Sequence, residues 1–184
     1  MTRRPVLFVL CGLPFSGKST LARALSERFP LEHIEIDQVH EQRGVVPGQG
    51  RRVADEDWRA AFQRSFRRLH AVLAAGGSVV WDTASYRRAQ RERIRGVAAR
   101  YGATAHLIYL ATPEAEARRR LERNRETGER RDVPDDNFFE VALDFEVPGP
   151  DEDPILYHPQ TPIGQWLDET IAPLIDAADK EQTG

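Results

Sequence analysis

The segment that most constrains this chain is residues 12–19, which read Gly-Leu-Pro-Phe-Ser-Gly-Lys-Ser. A short apolar run precedes the segment and a helical pattern follows it, so a strand feeds a glycine-rich turn at a helix N-terminus. Gly12 and Gly17 allow the backbone to curl until successive N–H groups point at phosphate oxygens. Lys18 supplies a positive charge for the β- and γ-phosphates, and the Ser19 hydroxyl is a ligand for Mg²⁺. The motif therefore predicts binding of ATP, or alternatively GTP, together with Mg²⁺.

The predicted nucleotide contacts include the whole loop and the first turn of the following helix. These residues are Gly12, Leu13, Pro14, Phe15, Ser16, Gly17, Lys18, Ser19 and Thr20. A chance match in a glycine-rich turn is disfavoured by the strand before the motif and the helix after it. A non-catalytic nucleotide-binding switch would carry the same loop, so the loop alone does not distinguish a switch from an enzyme.

Length and composition exclude several classes of protein. A chain of 184 residues is long enough for one domain with a sizeable core. We predict this domain over residues 1–177, followed by a polar tail over 178–184. The sequence shows neither a signal peptide nor a membrane span, and the single cysteine, Cys11, fits a reducing cytoplasm and a buried structural role. The net charge of −3 disfavours a general polyanion binder, and the oligomeric state is left open.

Short apolar runs alternate with helical patterns along the chain, which is typical of a parallel sheet covered by helices. The runs predicted as strands are residues 6–10, 33–36, 78–81, 104–110 and 155–157. Helices are predicted over 18–29, 54–75 and 86–101, from Thr112 as an N-cap, and from residue 161. The fold class predicted by this alternation is α/β.

Two aspartates follow predicted strands on the edge of the sheet that carries the phosphate loop. Asp37 comes directly after the second strand, and its carboxylate could accept the proton of a substrate hydroxyl or orient that hydroxyl. Asp82 closes the third strand, where an acidic residue binds Mg²⁺ directly or through water, or faces the substrate. For both residues the alternative is a helix cap or turn aspartate.

Arginines are concentrated in residues 118–131. As a group they predict a lid that closes over ATP and aims guanidinium groups at the transferring phosphoryl group. Any single arginine of this segment could instead pair with a nearby glutamate on a solvated helix face. The other helix arginines, Arg91 among them, are interpreted as surface residues. The five histidines show no metal-ligand spacing.

These motifs together resemble a known family. The order along the chain is the phosphate loop, Ile36-Asp37, Asp82-Thr83-Ala84-Ser85, Arg123-Asn124 and Phe145-Glu146-Val147-Pro148. In this order the chain resembles the AAA-type P-loop kinases. It is similar to the kinase domain of polynucleotide kinases and, more distantly, to chloramphenicol phosphotransferase and zeta toxins. The resemblance implies an adenylate-kinase-like fold with a five-stranded parallel sheet, Mg²⁺ and ATP, and phosphoryl transfer to a hydroxyl group.

The resemblance also implies roles for particular residues. Lys18 and Ser19 would hold phosphates and metal, Asp37 would be the catalytic base, Asp82 a site carboxylate, and Arg123 a catalytic arginine of a lid over about residues 118–134. Polynucleotide kinases carry an arginine three residues after the base, where this chain has His40 on the substrate side. They also carry a second lid arginine at the position of Thr127, for which Arg125 or Arg130 could substitute, and Arg131 lies nearby.

The sequence therefore predicts an ATP-dependent kinase that phosphorylates the hydroxyl of a small molecule. Because a neutral imidazole at His40 is a poor anchor for a substrate phosphate, a polynucleotide 5′-hydroxyl kinase is the alternative rather than the first prediction. A nucleotide-binding switch is the other alternative, although a switch has no need for the carboxylate of Asp37.

Overall fold

A five-stranded parallel sheet forms the centre of the protein in our computed structural model, which describes residues 4–36, 54–83, 85–128, 133 and 135–180. Its strands are β1 (Val6–Cys11), β2 (Leu31–Glu35), β3 (Ser78–Asp82), β4 (Thr104–Leu110) and β5 (Ile155–Tyr157). Their order in the sheet is β2-β3-β1-β4-β5, and each neighbouring pair is parallel. The predicted α/β class and strand number are confirmed.

Helices connect the strands and close the chain. They are α1 (Lys18–Arg28), α2 (Asp55–Ala74), α3 (Arg88–Arg100), α4 (Glu114–Thr127), α5 (Asp135–Leu143), α6 (Ile163–Trp166) and α7 (Ala172–Lys180). A π-helical turn, Leu167–Ile171, joins α6 to α7, and a 3-10 helix, Pro150–Glu152, precedes β5. Within the described ranges, no helix is long and apolar enough to span a membrane.

Several boundaries differ from the sequence prediction, and β2, for example, is Leu31–Glu35 rather than residues 33–36. The N-cap of α4 is Pro113, without a side-chain capping bond, so the prediction of Thr112 as the cap was wrong. The Thr112 hydroxyl instead donates to the backbone of the phosphate loop. The polar tail was predicted to begin at residue 178, but the last helix continues to Lys180 and Ala178 is buried. The helix is longer than predicted because it packs against the sheet beyond the point where apolar periodicity fades.

The central strand β1 is buried along its whole length, and its residues alternate between two cores. Val6, Phe8 and Leu10 pack with α1 and the C-terminal helices on one face of the sheet. Leu7, Val9 and Cys11 pack with α2 and α3 on the other face. A central parallel strand covered on both faces is expected to read as a continuous apolar run, as this one does. The buried position predicted for Cys11 is confirmed, and burial raises the pKa of its thiol to about 11.

A buried ion pair anchors the loop that follows β3. The Arg91 guanidinium donates to both carboxylate oxygens of Glu152 at 2.7 Å, and both side chains are almost fully buried. Arg91 also donates to the carbonyls of Ser85 and Tyr86, at 3.2 and 3.1 Å. The interpretation of Arg91 as a surface residue was therefore wrong. Its partners lie about sixty residues away or on a turn, so helical periodicity gave no sign of them.

Replacing Arg91 with methionine should destabilise the protein by about 3–5 kcal/mol, because Glu152 would remain a buried carboxylate without its partner. At about 2–4 °C per kcal/mol for a chain of this size, the melting temperature should fall by roughly 6–20 °C. Hydrogen bonds from Arg91 lower the pKa of Glu152 from its ordinary value of 4.5. The stabilisation is therefore present above about pH 4.5 and is lost as the pH falls through the lowered pKa.

Thermal unfolding followed by circular dichroism tests this prediction. The matched control is Arg88→Met on the same helix, because Arg88 pairs with Glu92 and Asp151 in exposed bridges that stabilise little. Equal melting temperatures for the two variants would contradict a stabilising role of the buried pair.

Candidate active site

The phosphate loop lies between the end of β1 at Cys11 and the start of α1 at Lys18. Within it, the Ser16 N–H donates to the Leu13 carbonyl at 3.1 Å and closes a tight turn. Gly17, the N-cap of α1, has a φ of 105°. The predicted sequence of strand, glycine-rich turn and helix N-terminus is confirmed.

Gly12 is required by close packing inside the loop. A Cβ atom at this position would lie 2.7 Å from the Ser16 Oγ, and 3.2 Å from both the Cβ and the backbone oxygen of Leu110. Because Leu110 ends β4, the loop is pressed against the carboxyl edge of the sheet. A larger residue would crowd the Ser16 hydroxyl and force the loop or Leu110 to shift.

The Lys18 ammonium group lies against its own loop. Its Nζ donates to the carbonyl oxygens of Gly12 and Leu13, at 3.0 and 2.7 Å. These bonds hold a positive charge at the start of α1, where the helix dipole also favours an anion. The arrangement therefore concentrates positive electrostatic potential beside the loop, as phosphate binding demands.

Two residues that follow β4 in the chain, Thr112 and Arg120, hold the outer side of the loop. The Ser16 carbonyl accepts a hydrogen bond from the Thr112 Oγ1 at 3.0 Å and from the Arg120 Nη1 at 3.4 Å. Arg120 is half-buried, and its Nε donates to Glu116 at 2.9 Å. The Ser16 hydroxyl is buried without a hydrogen-bond partner, which leaves a polar group available inside the loop.

The carboxylate of Asp82 lies at the end of β3, as predicted, and is only 3% exposed. The Nε2 of His33 on β2 lies 3.2 Å from the Asp82 Oδ2. Glu35 pairs directly with Asp82 in the sheet, and ligand atoms of His33, Glu35 and Asp82 all lie within 4.8 Å of one another. This group, here called the acidic cluster, brings two carboxylates and an imidazole to the edge of the sheet that carries the phosphate loop.

His33 and Glu35 were not among the predicted site residues. His33 belongs to a group that could hold a metal ion, in which Glu35 lies on its own strand β2 and Asp82 lies on the adjacent strand β3. The available signal was the spacing of the two residues by two along β2, which directs both side chains to one face of the strand. The carboxylate oxygens of Glu35 and Asp82, with the Ser19 hydroxyl, are donors of the type Mg²⁺ prefers.

The predicted lid arginines lie in different environments in the structure. Arg123 is exposed on α4, whereas Arg125 is bound to Asp135 at 2.8 Å and to the Val133 carbonyl at 3.1 Å. Arg120, which sequence reasoning did not single out, contacts the phosphate loop one turn before Arg123. The predicted site residues that lie outside the described ranges are Asp37, His40, Arg130 and Arg131.

Comparison with known proteins identifies the family. Residues 7–148, from within β1 to the segment after α5, match the AAA domain family. The chain belongs to the AAA domain family. The match includes the phosphate loop and the acidic cluster, whereas the finer resemblance to polynucleotide kinases and chloramphenicol phosphotransferase stays a prediction.

Individual relatives are kinases or share this fold. A shikimate kinase of Paracidovorax citrulli is 39% identical over 89 residues, which cover 42% of this chain and 48% of that protein, so the match spans about half of the relative. A gluconokinase structure from Sinorhizobium meliloti 1021 is 20% identical, with a TM-score of 0.64 and 98% of each chain covered. Chaetomium thermophilum Kti12 in complex with ADP-AlF3 is 23% identical, with a TM-score of 0.73, covering 94% of this chain and 98% of that chain. The protein therefore has the P-loop kinase fold.

Proposed function

We propose that the protein is an ATP-dependent kinase that transfers the γ-phosphate to a hydroxyl group of a small molecule. The observation that carries this proposal is the phosphate loop beside a buried carboxylate on the neighbouring strand. β3 pairs directly with β1, with Trp81 opposite Val9, so Asp82 lies next to the strand that leads into the loop. A nucleotide held by the loop would have its terminal phosphate near this edge, where ligands bind in open parallel sheets.

On the nucleotide side, the backbone of residues 12–17 and the Lys18 ammonium would bind the phosphates. Mg²⁺, held by Ser19 and the oxygens of the acidic cluster, would neutralise the charge that develops during transfer. The donor set supports Mg²⁺ because it supplies a hydroxyl and carboxylates rather than thiolates. Arg123 remains our proposed lid arginine, since an exposed side chain on α4 is free to turn towards a bound nucleotide.

On the acceptor side, Asp37 would take the proton of the attacking hydroxyl, with His40 and Asp82 near the substrate. Phosphoryl transfer needs positioning and charge neutralisation more than covalent chemistry, so this small set of groups is sufficient. The names of the relatives, a shikimate kinase and a gluconokinase, support a small-molecule acceptor.

The acceptor is tested by measuring ADP release from Mg²⁺ and ATP in the presence of a panel of sugars, polyols, hydroxy acids and hydroxyl-bearing antibiotics. We expect at least one compound to raise ADP release well above the rate with water alone. An oligonucleotide with a free 5′-hydroxyl belongs in the same panel. Activity with the oligonucleotide alone would replace our proposal with a polynucleotide kinase, and ATP binding without any transfer would favour a nucleotide-binding switch.

A further inference from the structure

The Ser16 carbonyl, at the outer side of the phosphate loop, is held by two side chains from different elements. Thr112, which follows β4 and is buried, donates through its Oγ1 at 3.0 Å. Arg120, on α4, approaches the same oxygen through its Nη1 at 3.4 Å. Because the N-cap of α4 is Pro113, the Thr112 hydroxyl is committed to the loop rather than to the helix.

Because the peptide bond is planar, these two contacts to the Ser16 carbonyl also set the orientation of the Gly17 N–H group. The peptide bond is planar, and the described residues contain no cis peptide, so the Gly17 N–H points away from the Ser16 carbonyl. A carbonyl drawn outwards by Thr112 and Arg120 therefore turns the Gly17 N–H towards the inner side of the loop. Successive N–H groups on the inner side of such a loop form its anion-binding concavity.

We infer that Thr112 and Arg120 are positioning residues that hold the phosphate loop in its nucleotide-binding conformation before the nucleotide arrives. The inference rests on the proposed function only in taking ATP as the ligand of the loop. When the loop is ordered in advance, less free energy is lost in ordering it as the nucleotide binds, so the nucleotide binds more tightly. Arg120 also brings a guanidinium nitrogen to 3.8 Å from the Cβ position of Gly17, which adds positive charge beside the loop.

The chain offers a matched control for Arg120. Arg119 and Arg120 are adjacent on α4, and both form ion pairs with Glu116. The Arg119 side chain is 72% exposed, whereas that of Arg120 is 34% exposed and reaches the loop. Removing either charge disturbs Glu116, but only the change at Arg120 removes a contact to Ser16.

The test measures binding of a fluorescent ATP analogue, and KM for ATP, in Thr112→Val, Thr112→Ser, Arg120→Met and Arg119→Met. Thr112→Val keeps the shape and removes the donor, so the dissociation constant should rise by about 3–10-fold, the effect of one lost hydrogen bond. Arg120→Met should weaken binding by a similar factor. Thr112→Ser should restore binding to within about twofold, and Arg119→Met should bind like the wild type. In both weakened variants KM for ATP should rise while kcat at saturating ATP changes little, a division that a general loss of folding does not produce.

Unchanged binding of the analogue by Thr112→Val and Arg120→Met would overturn the inference. Should Thr112→Val fail to fold, Arg120→Met against Arg119→Met decides the question alone, and equal binding by these two variants overturns it. Failure of the wild-type protein to bind the analogue would instead contradict the proposed function, so the two failures are distinguishable.

Discussion

Replacing Lys18 with alanine should abolish detectable phosphoryl transfer. The ammonium group is the cation at the start of α1, where it is held by the carbonyls of Gly12 and Leu13. Loss of one preorganised donor to a developing negative charge typically lowers the rate on the order of 10²–10³-fold, and loss of a full charge at the transferring phosphate should reach at least that size. Steady-state ADP release with the acceptor found in the panel measures the effect.

Lys180 provides the control for this substitution, because it is the only other lysine of the chain. Lys180→Ala should leave the rate unchanged. Lys18→Arg should not restore full activity, since a planar guanidinium does not reproduce the compact ammonium. A Lys18→Ala protein that turns over within a few fold of the wild type would contradict phosphate binding by the loop.

Replacing Asp37 with asparagine should lower the turnover number by roughly 10²–10⁴-fold, the range for loss of general-base assistance. The amide keeps the shape of the side chain but cannot accept the proton of the attacking hydroxyl. Binding of a fluorescent ATP analogue should stay nearly intact, because the phosphate loop is untouched. Single-turnover transfer and analogue titration on the same preparation separate the two effects.

Asp82→Asn serves as the contrasting variant. The Asp82 carboxylate lies beside His33 and Glu35, so its loss should weaken Mg²⁺-dependent nucleotide binding by roughly 10–100-fold if it holds or orients the metal. Normal turnover in Asp37→Asn together with an inactive Asp82→Asn would reverse the assignment. The acceptor hydroxyl would then have to be sought beside Asp82.

The fold was predictable because its main determinants are local in sequence. The apolar run of β1, the glycine-rich turn and the N-terminus of α1 follow one another within about twenty residues, and the apolar runs for β4 and β5 matched the observed strands. The position of Asp82 at the end of β3 followed from the same reasoning, because parallel strands present their carboxyl ends at one edge.

The missed features depend on contacts between distant parts of the chain. Arg91 is buried because Glu152 lies opposite it, and no periodicity of α3 predicts a partner sixty-one residues away. Thr112 fits the pattern of a helix cap, and only the packing of the loop against β4 gives its hydroxyl another acceptor. His33 contacts Asp82 because β2 pairs with β3, and the sequence alone did not provide the register of that pairing.

The central claim, transfer of the γ-phosphate to a small-molecule hydroxyl, is tested most directly by following the phosphorus NMR spectrum of Mg²⁺ and ATP with the acceptor and the wild-type protein. The proposed function predicts that the γ-phosphate signal declines while a phosphate monoester signal grows in equal amount with ADP, and that Lys18→Ala shows neither change. Growth of inorganic phosphate alone, or no acceptor-dependent change across the whole panel, would contradict it.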